Sequence, residues 1–125
     1  MRLALLVLVT SFGFLGRPVG EPPCQAKLRL RQEAHLLTLT GYCHSLLDQP
    51  AHYRYQLAVW RRGTSGQSHN TQGGEFALGG QQEATLSTVQ LNVAATDSYQ
   101  AKLLVFDASG HVVAQDSASQ AGSAR

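Results

Sequence analysis

Isoleucine is absent from the 125 residues, and charged residues make up only 14% of the chain. An average soluble protein carries roughly 25%. So little charge excludes a basic nucleic-acid binder and an acidic disordered tail, which both depend on it. Cysteine is scarce as well. Two copies are too few for a disulfide-built miniprotein or a four-cysteine zinc site. The five histidines (His35, His44, His52, His69, His111) lack metal-ligand spacing, and HExxH, GxSxG and phosphate-cradling glycine loops are missing. The sequence therefore carries no enzyme signature and calls for no cofactor or metal. Its length suits one domain, or one domain plus a processed segment.

Long apolar runs are confined to the start. Leu3–Gly16 is a 14-residue run between Met1-Arg2 and Arg17-Pro18. A membrane span needs about 20 apolar residues, whereas the apolar core of a signal peptide has about 7–15. Residues 1–20 are expected to be a signal peptide cleaved at Gly20. Cleavage after Ser11 or Gly13, or retention as an anchor, are the alternatives. The mature domain, residues 21–125, is then exported, has no membrane span, and sits where disulfides can form. Losing Arg2 and Arg17 leaves eight basic and eight acidic residues, and no net charge.

What is present from Cys24 onward is period-2 alternation, the mark of half-buried strands. Strands are expected at 24–31, 36–44, 53–62, 83–93, 98–106 and 111–117. A short edge strand is expected within the Gly/Ser/Asn/Gln stretch 63–74. Residues 118–125 are expected to fray. Seven short strands at this spacing predict an all-β, immunoglobulin-like β-sandwich. Asp107–Gly110 reads as a hairpin loop with a positive φ at Gly110. Asp97-Ser-Tyr99-Gln-Ala101 has the form of a tyrosine corner, in which the hydroxyl bonds back to upstream backbone.

A two-residue turn at Glu33-Ala34 would set Cys24 opposite Cys43, on the inward face. Directly opposed residues lie about 4.5–5.5 Å apart at Cα, inside the disulfide range of about 4.4–6.8 Å. A structural Cys24–Cys43 disulfide is expected on that register. A redox pair is the weaker alternative, since catalytic thiol pairs usually sit close in sequence with a depressed pKa, and the sequence supplies no such motif.

The basic residues alternate with core residues and so point outward: Lys27, Arg29 and Arg31 on the first strand, Arg54 and Arg62 beside Trp60 on the third, and Lys102 on the sixth. Arg61 lies at the end of the third strand. Acids fall mainly in turns and strand ends. Either these are ordinary solvated faces with aggregation-blocking charges, or they capture an acidic or polar partner. The candidate contact residues are Lys27, Arg29, Arg31, Arg54, Arg61 and Arg62, with Trp60 as an anchor.

The run Arg54–Gln72, RYQLAVWRRGTSGQSHNTQ, resembles the CsgC/CsgH family of curli assembly proteins, with Ser65-Gly-Gln-Ser68 its most specific piece. Cys24–Leu28, Arg31–Glu33, Leu37–Gly41 and Tyr99–Leu103 are similar to the CsgH branch. The resemblance implies an immunoglobulin-like domain in the periplasm, non-enzymatic, which keeps curli subunits from polymerising into amyloid too early. It implies the curli major subunit, or a similar amyloid-forming protein, as partner. No nucleic-acid partner is expected, and the chain is expected to be monomeric. The Cys-x-Cys of the CsgC branch falls here on Ala51, His52 and Tyr53, which weakens a redox role. A periplasmic thiol-redox partner and a structural or adhesive module of a surface fibre are the competing readings.

Overall fold

The computed structural model describes residues 21–122. The expected signal peptide, 1–20, and the end of the expected tail, 123–125, lie outside the described residues. Seven strands follow in order: β1 (Cys24–Glu33), β2 (Leu36–Ser45), β3 (Ala51–Gly63), β4 (Gly66–Leu78), β5 (Glu83–Asn92), β6 (Ser98–Phe106) and β7 (Val112–Gln120). They pair antiparallel into two sheets, β1-β2-β5 and β4-β3-β6-β7. This is the expected all-β sandwich. Its fourth strand joins the sheet of the third, unlike constant-type immunoglobulin domains, where it lies beside the fifth.

Alternation drives the packing. Leu37, Leu39 and Cys43 of β2 face Leu57 and Val59 of β3 and Ala101, Leu103 and Val105 of β6, all almost fully buried. Leu57 and Leu103 are direct partners across β3 and β6. Gly41, on the opposite sheet, leaves the room that the Leu103 side chain fills. A Cβ there would lie 3.3 Å from Leu103 Cδ2. Cys24, Cys43, Tyr53, Leu78 and Val105 form a second cluster at one end of the sandwich.

Three local expectations are corrected. The β1–β2 turn falls at Ala34-His35, with Ala34 at φ 53°, one residue later than expected. The register moves by two, so Cys24 faces Ser45 and Cys43 faces Ala26. Both registers put the same residues inward, so hydrophobic alternation could not choose between them. Next, the strand expected to be short within 63–74 is the 13-residue β4, paired along its whole length with β3. Its Gly, Ser, Asn and Gln residues have low strand propensity, but the partner strand overrides it. Lastly, the tail does not fray at 118: Ala118 pairs with Ala101 and Gln120 with Tyr99.

The sheet edges meet differently on the two sides. On one, Asp116 of β7 accepts the Leu28 N–H of β1 at 2.8 Å. On the other, the Tyr55 hydroxyl of β3 donates to the Leu86 carbonyl of β5 at 3.0 Å. Its cross-strand partner Gly74 lies beside the ring, where a Cβ would make ordinary contact at 3.5 Å from Tyr55 Cε1. The β6–β7 turn is held by Asp107, whose carboxylate accepts the Ser109 and His111 N–H groups. Those bonds, His111 first, keep its carboxyl below the usual range. Gly110 has φ 90°, as its turn position requires.

Candidate interaction surface

The inner face of the β4-β3-β6-β7 sheet makes the core, so the alternate residues form a free outer face. Register sets its rows. Glu75, Arg54 and Phe106 lie side by side, then Gly73, Gln56 and Leu104, then Thr71, Ala58 and Lys102. His69, Trp60 and Gln100 follow, and Gln67, Arg62 and Ser98 make the last row. Three basic side chains share this face with one acid, Glu75.

Aromatic contacts hold part of it in place. Trp60, 40% exposed, stacks on His69 with ring centroids 4.9 Å apart and planes 7° from parallel. The Arg54 guanidinium sits 5.6 Å from the centre of the Phe106 ring. Trp60, Arg62, Gln67, Gln100 and Ser119 line an open groove of about 780 Å³ at the Trp60 end. An aromatic face flanked by a guanidinium, amides and a hydroxyl can hold a polar, uncharged or acidic polypeptide.

Lys27, Arg29 and Arg31 are exposed on the outer face of the other sheet. Arg29 lies 4.7 Å from the centre of the Tyr42 ring, and Arg31 pairs with Glu33 at 2.9 Å. The sequence-derived contact residues are thus split between two opposite faces and do not form one patch.

Arg61 belongs to neither. It projects inward at the end of β3 and bonds Asp97 at 3.1 Å, with side-chain exposures of 17% and 4%. Asp97 also accepts the Ala94 N–H at 2.9 Å. Gly63 leaves the space for this carboxylate, which a Cβ would overlap. The pair ties the β5–β6 connection to β3. In sequence Arg61 reads as a contact residue, because its pairing depends on a residue 36 positions away. Tyr99 also departs from expectation. Its hydroxyl meets Gln120 Oε1 at 3.3 Å, not upstream backbone, because β7 runs on far enough to put Gln120 beside it.

Cys24 and Cys43 are free thiols, both buried, and diagonal neighbours on the inner face rather than directly opposed. Diagonal Cα atoms lie about 7–8 Å apart in such ladders, beyond the usual disulfide span. The Cys43 thiol is pushed up, first by its hydrogen bond to Cys24 and then by burial. Cys24 is lowered by accepting that bond, against the effect of its own burial. Ellman's reagent is expected to react at least about a hundredfold more slowly with the folded protein than with the unfolded chain, which releases two thiols. Zero thiols in the unfolded, unreduced chain would identify the disulfide that the sequence led us to expect.

Among the described residues, no group of three or more His, Cys, Asp or Glu could hold a metal ion. No helix among them is long and apolar enough to cross a membrane.

Known structures resemble this fold. The E. coli curli protein CsgC superposes with a TM-score of 0.64 at 23% identity, covering 75% of this chain and 96% of its own. The solution structure of R. palustris CsgH gives 0.57 at 23% identity, over 78% and 91% of the two chains. A Bacteroides uniformis β-glucuronidase 2 gives 0.58 at 10% identity, but the match takes in only 14% of that enzyme. At these identities the likenesses establish the fold alone. No curated protein sequence matches. Residues 28–124 match the family model described as CsgH protein, a span that runs from β1 through β7, and the chain belongs to the CsgH family.

Proposed function

We propose that this chain is a periplasmic, non-enzymatic inhibitor of premature curli subunit polymerisation. Family membership and the likeness to a curli protein point to the curli system. The observation that carries the reading is the outer face of the four-stranded sheet. There Arg54, Arg62 and Lys102 surround the exposed Trp60, with Glu75 the one acid in those rows. A chain with no net charge in its mature form still steers an acidic or polar client to that face. The anchored aromatic then makes the short-range contact. Early soluble species are held there without a template for growth. The partner is the curli major subunit or a similar amyloid-forming protein, and the inhibitor acts as a monomer.

The test follows fibril formation of the curli major subunit by dye fluorescence at substoichiometric inhibitor. Wild type is expected to lengthen the lag severalfold. Reversing Arg54, Arg62 and Lys102 to Glu is expected to abolish the delay while the far-ultraviolet spectrum stays unchanged. Reversing Lys27, Arg29 and Arg31, on the opposite face, is expected to leave most of it. Raising the salt from about 0.05 to about 0.5 M should shorten the wild-type delay, because screening acts on exposed charges. No delay with wild type would remove the function. An undiminished delay with the first triple variant would remove the site.

A further inference from the structure

Four strands lie at sheet edges: β1 and β5 in one sheet, β4 and β7 in the other. An edge strand presents unpaired N–H and C=O groups, and native proteins guard it with charge, proline, a bulge or a cover. Three of these edges are guarded. β1 carries Lys27, Arg29 and Arg31, and its Leu28 N–H is taken by Asp116. β7 carries that Asp116 and a register shift opposite Val105/Phe106. β5 has a shift opposite Gly41/Tyr42, and the carbonyl of Leu86, the residue left over there, is taken by Tyr55.

β4 has none of these between Gly66 and Gly74. The stretch GQSHNTQGG holds no Asp, Glu, Lys, Arg or proline, and its pairing with β3 runs without a shift. From Gly66 to Thr71 every residue is exposed, on the side of the other sheet as well as on the outer side. The hairpin therefore extends past the cover that β5 gives farther along. Its side chains are amides, hydroxyls and one imidazole. Amide and hydroxyl ladders of this kind pair well with their own chemistry in an added strand.

We propose that the open edge of β4 between Gly66 and Gly74 takes up one extended, uncharged Gln/Asn/Ser-rich segment of the client as an added strand. This rests on the client reading above and supplies its contact mode. Like-charge repulsion tells against a second copy of this chain at that edge. Two copies joined edge to edge by a twofold axis normal to the sheet would set two outer faces side by side, each with Arg54, Arg62 and Lys102 against Glu75. A neutral or acidic strand meets no such repulsion. Beyond the added strand, growth of the sheet would have to continue next to this basic face, so capture at the edge and charge on the face act together.

The probe is a synthetic 12-residue peptide of Gln, Asn, Ser and Gly with blocked ends, added to the full domain and followed by amide hydrogen exchange. Several amides within Gly66–Gly74 are expected to slow by tenfold or more, while edge amides of β1 and β7 keep their rates. The variants are Gln67→Lys and Thr71→Lys, both at exposed positions that leave the core untouched. Each is expected to abolish the peptide protection and to cut the delay of curli-subunit assembly at least fivefold. Absence of protection with wild type, or protection that appears without peptide and grows with protein concentration, overturns the edge assignment; the latter would mean self-pairing. A wild type that delays assembly together with lysine variants that delay it equally also overturns the edge, while the proposed function stands. A wild type with no delay removes the function itself.

Discussion

Leu103→Ala is expected to lower the stability of the domain by about 3–4 kcal/mol, well within the range for buried leucines. Leu103 is fully buried, next to Leu57 and over Gly41 of the opposite sheet. Cost at such a site depends on how far the surroundings can close the cavity. Here they can do little, because a glycine lies beneath the missing atoms and the two sheets are held apart by the rest of the core. A domain of this size has about 5–15 kcal/mol in total, so the melting temperature should fall by the order of 15 °C. Urea unfolding followed by circular dichroism checks this, with a shifted midpoint at unchanged slope. A loss under about 1 kcal/mol would mean that the core closes over the gap. The double variant Gly41→Ala/Leu103→Ala sharpens the test. On its own, Gly41→Ala brings a methyl to 3.3 Å from Leu103 Cδ2, which must give way by a few tenths of an ångström. In the Leu103→Ala background the same methyl fills space and restores part of the loss, so the two changes must be non-additive.

Asp97→Ala is the second large effect, at about 3 kcal/mol. Removing one partner of a buried ion pair strands the other, and measured losses run to about 3–5 kcal/mol. Arg61 keeps 17% side-chain exposure, which places the expectation at the low end of that range. The substitution also leaves the Ala94 N–H without its acceptor. Asp97→Asn keeps an oxygen for that N–H and removes only the charge, so its loss should be about half as large. Gly63→Ala should resemble Asp97→Ala, since a methyl there would occupy the carboxylate's place. Thermal unfolding of the three variants ranks them. If all three lie within about 0.5 kcal/mol of wild type, the size usual for surface changes, the pair does not tie the β5–β6 connection to β3.

The two residues differ in how far the sequence shows their roles. Leu103 is readable: Tyr99, Ala101, Leu103 and Val105 alternate, and the structure buries all four. The match of β6 to its expected bounds at 98 and 106 follows from that alternation, as does the outward direction of Lys27, Arg29, Arg54 and Lys102. Arg61 also has the inward parity of Tyr53, Tyr55, Leu57 and Val59, but its charge suggested a surface role. The parity was right, and the buried partner that makes it tolerable lies in a distant turn. The candidate face shows the same limit. Each basic side chain can be assigned to the outside of its strand, but which of them share a face depends on strand order. Placing β4-β3-β6-β7 in one sheet joins Arg54, Arg62 and Lys102 and separates them from Lys27, Arg29 and Arg31.

Scarce charge and alternating apolar residues were enough to determine an all-β chain of seven strands with no visible catalytic motif, because each strand's inward face is written in its own residues. Pairing is not local. The Cys24–Cys43 offset, the full length of β4, the Arg61–Asp97 tie and the unguarded edge were decided only by tertiary structure. A register shift of two leaves alternation unchanged. A strand with low propensity gains its hydrogen bonds from a neighbour. The chain with so little charge in its composition turns out to place what it has by sheet: one buried pair that closes a turn, and two opposite basic faces, one of which borders an edge stretch, Gly66–Gly74, that holds no Asp, Glu, Lys or Arg.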